Sequence, residues 1–325
     1  MANLKMTFAC GPYDRMEALR TGEVKPEGIE LEFVAIRSPR QIFDRMAGRQ
    51  EFDASELSAS EYVSQVGRGD CPFVALPVFP SKFFRHGFVF YNRRTRIRAP
   101  KDLEGKRIGV PLYTQTAAVW IRGMLTDDYG VDFGDVHWVQ GAVEKAGSHG
   151  TPSAPALLKP VKIETAPRDK SLSDMIESGA IDALLGSRGP EPLSAYPSVA
   201  RMFPDYRQVE KDYFRRTDIC PIMHLVAVKR DVYEKNTWIA ASLYKAFEES
   251  RLRALADLTY PGALRHMLPW LAADLEEIDE VFGGDPWPYG VERNRATMET
   301  LVRYLVEQDF IRKLIPLDEL FVPVQ

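Results

Sequence analysis

Several cations, hydroxyls and histidines in this chain stand at the ends of would-be strands and helices, where they could grip a small anion and move a proton. Arg85 and His86 open the β-forming run 86–92. A guanidinium beside an imidazole suits a carboxylate clamp next to a proton donor, and a surface arginine with a packed histidine fits the same pair equally. His224, between Met223 and Leu225, reads either as a core histidine or as a second ring facing a ligand. Thr114-Gln115-Thr116 opens a helical run toward Met124. The free N–H groups and dipole of such a start favour an anion, although an ordinary cap uses the same residues. Ser58 and Ser60 begin a matching run, and Ser58 with Glu61 has capping-box spacing. Ser187 and Arg188 follow the apolar strand 181–185; ligands of open α/β sheets bind beyond the carboxyl ends of strands, so Arg188 reads as a second clamp. Tyr13, Asp14 and Arg15 hold the equivalent place after the first strand, with pairing of Arg15 to Glu17 as the plain alternative. His149 lies in a Gly/Ser-rich stretch and reads as a lid histidine or a surface one. Arg122, deeper in its helix, reads as structural.

Other chemistries find little footing. No HxxxH or HExxH spacing occurs, so no metal is expected, and neither a phosphate-binding glycine loop nor a Ser–His–Asp motif is present. Cys10, Cys71 and Cys220 are too scattered for a zinc site or a disulfide framework. A net charge of −4 argues against a nucleic-acid partner while leaving room for a local basic pocket. The opening residues read as a first strand rather than a signal peptide, and no apolar run is long enough for a membrane. With Met1 as the natural start, the expected compartment is the cytoplasm.

The elements that must position these residues follow from periodicity. Strands are expected at 5–9, 29–36, 52–57, 73–78, 86–92, 107–111, 136–139, 181–185 and 222–228. Helices are expected from Asp14 through Arg20, after Pro39 (with Ile42, Phe43 and Met46 on one face), after Ser58, at 116–124, at 172–176 and over the long amphipathic stretch 238–258. Residues 141–160, rich in Gly, Ser, Ala and Pro, read as a long loop. Alternating strands and helices imply mainly parallel sheets, and 325 residues suit two lobes. The helix-rich tail packs most simply on the first lobe.

The order of these pieces resembles the type II periplasmic binding proteins. Ala99-Pro100-Lys101-Asp102-Leu103-Glu104-Gly105-Lys106-Arg107-Ile108-Gly109-Val110 is similar to that family's entry into its second lobe. Glu177-Ser178-Gly179-Ala180-Ile181-Asp182-Ala183 and the span from His224 to Arg251 continue the likeness. One branch, the 4,5-dihydroxyphthalate decarboxylases, resembles nearly the whole chain. That resemblance rests on Leu57-Ser58-Ala59-Ser60-Glu61-Tyr62, on residues 77–87, on residues 109–117 and on Gly147-Ser148-His149-Gly150.

The resemblance implies an α/β, two-lobed type II periplasmic-binding-protein-like fold with a ligand cleft between lobes and two hinge crossings. Residues 1–88 and 222–325 would form lobe 1, and 89–221 lobe 2. It also implies a carboxy-lyase that needs no cofactor, taking 4,5-dihydroxyphthalate to protocatechuate and carbon dioxide. Such a reaction asks for a held carboxylate, a phenol biased toward phenolate and one proton. On that fold, hinge segments line the cleft. Arg85, Arg188 and the start at Thr114, Gln115 and Thr116 would then bind carboxylate, and His86 or His224 would exchange the proton, with Glu56, Asp14 or His149 next in line. Ser58, Ser60, Ser187, Tyr13, Arg15 and His149 complete the expected binding set. The expected partner is a small aromatic mono- or dicarboxylate. The rivals are a solute-binding protein without catalysis and a cytoplasmic sensor lobe.

Overall fold

A computed structural model of the chain describes residues 3–150, 154–260, 262 and 264–324. The first two residues and 151–153 of the expected long loop lie outside the described residues. The chain runs through β1 (Leu4–Cys10), α1 (Glu17–Thr21), β2 (Ile29–Ala35), α2 (Pro39–Arg49), β3 (Ala54–Ser58), α3 (Ala59–Arg68), β4 (Phe73–Lys82), β5 (Val89–Asn92), β6 (Arg107–Val110), α4 (Thr116–Tyr129), β7 (His137–Gln140) and β8 (Ile163–Thr165). It continues through α5 (Leu172–Ser178), β9 (Ala183–Leu185), β10 (Val199–Arg201), α6 (Tyr206–Thr217), β11 (Ile222–Lys229), α7 (Arg230–Lys235), α8 (Ile239–Thr259), α9 (Leu271–Phe282), α10 (Arg295–Glu307) and α11 (Leu317–Leu320).

The strands form two sheets, ordered β2-β1-β3-β11-β4 and β10-β5-β9-β6-β7-β8. Strands joined by crossover helices pair in parallel, as β1 does with β2 and β3, and β6 with β7 and β9. The sheets are nevertheless mixed rather than mainly parallel. β5 and β11, the first strands after the chain passes from one sheet to the other, run antiparallel to both of their neighbours. The two passages touch: Phe83 donates its N–H to the carbonyl of Pro221 at 2.9 Å.

Several local expectations change in three dimensions. The strand expected from His86 begins only at Val89, because His86–Phe88 form a tight turn whose Gly87 N–H goes to the Glu210 carboxylate. Ser58 does precede α3, yet the capping box does not form. Its hydroxyl bonds Thr116 Oγ1 at 3.0 Å, while the Glu61 carboxylate holds Arg40 at 2.6 Å. Asp14 is not the N-cap: its carboxylate accepts the neighbouring Arg15 N–H at 2.7 Å, and Tyr13 precedes the first turn without a side-chain cap. α4 runs unbroken to Gly130, which closes it in a left-handed conformation at φ 64°. β8 and β10 have three residues each, too few to show a period. α6 is amphipathic, with Val209, Tyr213 and Phe214 along its inner face, but only Tyr213 is fully buried and charged residues fill the rest, so its stripe is narrow.

The helical tail does more than cover the first sheet. α8 packs on α1 and β4, while α10 lies against both α3 and α4. The α4–α10 contact is close. The Tyr304 ring meets Trp120 edge-on at 5.5 Å, and its hydroxyl donates to Asp127 at 2.8 Å. Gly123 is what permits this approach, since a Cβ there would sit 2.3 Å from the Tyr304 ring. Among the described residues no helix is long and apolar enough to cross a membrane, and no cluster of three His, Cys, Asp or Glu side chains is arranged to hold a metal. Gly123→Ala should therefore destabilise the fold by about 1–3 kcal/mol through overpacking. Urea unfolding measures this, and an unchanged midpoint would rule out the contact.

Candidate active site

Where the two sheets face one another, the chain leaves a cleft of about 210 Å³. Three helix starts line it: Ser38, Pro39 and Arg40 of α2, Ser58 before α3, and Gln115, Thr116 and Ala117 of α4. Unsatisfied N–H groups and dipole ends make such a place attractive to an anion. α2 and α4 follow β2 and β6, so their starts lie beyond strand carboxyl ends, as open α/β sheets favour. The Ser58, Ser60 and Thr116 hydroxyls join α3 to α4 across the cleft floor, with Oγ–Oγ distances of 3.0 Å (Ser58–Thr116) and 2.9 Å (Ser60–Thr116).

The cations at the cleft are not equivalent. Arg40 is held by Glu61 at 2.6 Å and Asp44 at 2.8 Å, which neutralises it. Arg188 pairs with Glu144 at 3.0 Å on the rim, its side chain 62% exposed, where water screens the charge. Arg85 is different. It is buried, its ring neighbours are Phe83 and Phe88, and its hydrogen bonds go to Met223 Sδ at 3.3 Å and the Ser187 carbonyl at 3.5 Å. Both are weak partners for a full charge. Burial pulls its pKa down to about 10, with Glu210 opposing, so it stays cationic at neutral pH. Among the described residues no carboxylate lies within ion-pair distance of it.

His224 lies beside this cation. Its ring lines the cleft, meets Phe43 edge-on at 4.9 Å and places Nδ1 3.9 Å from Glu56 Oε1. That nitrogen is buried and has no hydrogen-bond partner. Burial, reinforced by Arg85, Arg15 and Arg40, pushes the imidazole down to about 3, so it is neutral at physiological pH. Glu56 is fully buried and pushed up to about 7 by loss of solvent, although Cys10 Sγ (3.2 Å), the Gly11 N–H (3.5 Å) and the Tyr13 hydroxyl (3.4 Å) all donate to its carboxylate. The strand register makes the pair: His224 lies opposite Ser58 and Val226 opposite Glu56, so Glu56 and His224 are diagonal neighbours on one face.

Of the residues singled out in the sequence, Arg85, Ser58, Gln115, Thr116, His149, Ser187, Arg188 and His224 line the cleft. Gln115 joins three of its walls, donating from Nε2 to Ser187 Oγ at 2.9 Å and lying 3.4 Å from His149 Nε2, while its Oε1 is buried without a donor. The others stand behind the wall. His86 packs between Phe203 and Tyr213, with Glu210 at 3.9 Å. Burial lowers it to about 4, and neither ring nitrogen has a partner. Ser60 Oγ supports Thr116 Oγ1 and the Thr114 carbonyl, and Thr114 itself takes no part in the lining. Arg15 is locked between the Tyr13 and Trp287 rings, donates to the Pro80 carbonyl and pairs with Asp14. The Tyr13 hydroxyl points away from the cleft and donates to Glu56 at 3.4 Å. Sequence reading missed Ser38, Arg40, Phe43 and Ser81, all in the lining. The signal for the first two was present, since Pro39 marks a helix start just after a strand.

An uncompensated buried cation should govern affinity rather than stability. Arg85→Met is expected to weaken binding of a small carboxylate anion about 10- to 100-fold, the worth of a lost charged hydrogen bond, with no fall in melting temperature. Calorimetric titration and thermal unfolding check both halves. Wild-type affinity in the variant would remove Arg85 from the site.

No family model matches the chain. It is 35% identical over 325 residues to the 4,5-dihydroxyphthalate decarboxylase of Comamonas testosteroni, covering 99% of this chain and 98% of that protein. It is 37% identical over 219 residues to the 4,5-dihydroxyphthalate decarboxylase of Pseudomonas putida, covering 66% and 83%. Among solved structures it is similar to the periplasmic aliphatic sulphonate binding protein SsuA of Escherichia coli, with TM-score 0.52, 13% identity and coverage of 99% and 93%. It is also similar to a putative periplasmic sulfonate-binding protein of Methylobacillus flagellatus KT, with TM-score 0.54, 14% identity and coverage of 99% and 93%. At those identities the structural likeness is one of fold, the two-lobed α/β architecture of periplasmic binding proteins. The sequence likeness reaches from end to end, and the chain belongs to the 4,5-dihydroxyphthalate decarboxylase family.

Proposed function

We propose that this protein is a carboxy-lyase acting on a hydroxylated aromatic dicarboxylate, 4,5-dihydroxyphthalate or a close analogue, and releasing carbon dioxide and protocatechuate. The observation that carries the proposal is Arg85, a buried cation without a carboxylate partner, lying with His224 where three helix starts converge. The family gives the reaction its name, and the cleft supplies the groups it needs.

In this reading Arg85 and the starts of α2 and α4 hold the carboxylate that stays. Gln115 Oε1, an acceptor in want of a donor, takes a ring hydroxyl. The hydroxyl para to the departing carboxylate releases electrons into the ring as it becomes phenolate-like. His224 gives a proton to the ring carbon that bears the departing group. The carbon–carboxylate bond then breaks, its electron pair returns to the ring, and carbon dioxide leaves as aromaticity is restored. One proton enters and one carbon dioxide leaves; no electrons are exchanged, so this route asks for no redox cofactor. The Arg85 charge stabilises the anionic intermediate most where water is excluded. We place the reaction in the cytoplasm; the three buried, unpaired cysteines support a reducing setting.

Incubating the purified protein with 4,5-dihydroxyphthalate should yield protocatechuate, followed by absorbance. No turnover across a panel of hydroxylated phthalates and hydroxybenzoates would overturn the proposal, and tight binding without turnover would point to a solute-binding protein. His224→Gln should lower kcat about 10²- to 10⁴-fold with little change in affinity. His86→Gln, altering a ring behind the wall, should change kcat less than about tenfold. A reversal of that order would return the proton to His86.

A further inference from the structure

His224 is badly placed to act alone. To deliver a proton from an imidazolium it would have to carry a charge among Arg85, Arg15 and Arg40, with its Nδ1 buried and unpartnered. A neutral imidazole can deliver the proton on Nε2 only if another group supplies Nδ1 at the same time. Among the described residues the group near Nδ1 that could do so is the buried Glu56 carboxyl, at 3.9 Å.

We propose that Glu56 and His224 form a two-step proton relay, in which Glu56 passes its proton to His224 Nδ1 as His224 Nε2 passes its own to the substrate ring carbon. The inference rests on the decarboxylase reading and names the source of its proton. The ring gains one proton, Glu56 becomes a carboxylate, and the imidazole is neutral before and after, so no cation forms beside the three arginines. When product leaves, solvent in the open cleft returns a proton to the pair by way of His224. The carboxylate left on Glu56 is received by donors already aimed at it: Cys10 Sγ, the Gly11 N–H and the Tyr13 hydroxyl.

The surroundings fit a group that alternates between acid and anion. Burial favours the acid, and the three donors with nearby Arg15 favour the anion; the balance brings Glu56 to about 7. Facing the pair are Cys10 and Tyr13 at the end of β1, Arg15 in the turn that follows, Arg40 from α2 and Arg85 from the first passage between sheets. Tyr289 from the tail faces Cys10 and Arg15. The 3.9 Å separation must shorten by about 1 Å for transfer, and catalytic hydrogen bonds commonly tighten once substrate is bound.

The sign of the pH dependence follows. Glu56 must be protonated to act, so kcat/KM should be full below about pH 7 and fall as pH rises through it. A bound dianion favours the acid further, so the limb in kcat should lie at higher pH than the limb in kcat/KM. Glu56→Gln should lower kcat about 10²-fold or more, keep KM within a few-fold and abolish the alkaline limb. Glu56→Asp should restore a shifted limb. Wild-type kcat and an unchanged limb in Glu56→Gln would overturn the relay. A wild-type protein that turns over no hydroxylated aromatic acid instead overturns the decarboxylase reading. Independently of turnover, difference infrared spectroscopy of the wild type should show a buried protonated carboxyl that disappears through about pH 7 and shifts in Glu56→Asp. Absence of that band would also overturn the relay, should the glutamine variant fail to fold.

Discussion

Strand β11 enters the first sheet between β3 and β4 and is hydrogen-bonded on both sides, antiparallel to each. An interior strand with two partners cannot slip without breaking both hydrogen-bond ladders; its pairing with β3 is regular, while that with β4 shifts register on either side of His224. The regular side sets the site: His224 lines the cleft, and its pairing with Ser58 sets Glu56 diagonally behind it. The same strand brings its own start beside the end of β4, where Pro221 accepts the Phe83 N–H. Arg85 follows two residues later. The cleft therefore inherits its geometry from one strand insertion, which aligns the cation, the imidazole and the carboxyl without help from a mobile loop.

Electrostatics then decide which of the many charged residues can meet a substrate. Arg15, Arg40 and Arg188 have anions or carbonyls to answer them, while Arg85 has a thioether and a distant carbonyl. Desolvating a cation without an anion is costly, and the helix starts nearby add positive potential rather than relieve it. The cleft is thus unfavourable to itself when empty and favourable once an anion enters. That condition reinforces the neutral state of His224, which burial sets first: a field that attracts carboxylate also opposes protonation of an imidazole within it. A proton donor in such a field needs a route that avoids the imidazolium.

The tail couples the lobes. α10 rests on α3 and α4 at once, and Gly123 lets Tyr304 approach α4 closely enough to bond Asp127. Motion that opens the cleft must either carry α4 with α10 or slide along this contact. Fixing α4 in this way also fixes its start, where Gln115 and Thr116 line the cleft.

Local composition determined much of this protein. Apolar runs placed most strands, Pro39 and the glycines after helices marked starts and stops, and the order of pieces was enough for the two-lobed α/β architecture. These are legible because burial and capping act over a few residues. Eight of the expected site residues reached the cleft because strand ends and helix starts point toward the switch between lobes. What the sequence could not decide was which of two adjacent residues faces the cleft. Arg85 lines it and His86, one position on, turns into the packing of Phe203 and Tyr213. Nor could it reveal that Glu56 and His224, 168 positions apart (224 − 56), share a face, or that Arg40 is neutralised while Arg85 is not. Those facts depend on strand register and on partners brought from elsewhere in the chain, and only the tertiary structure sets them.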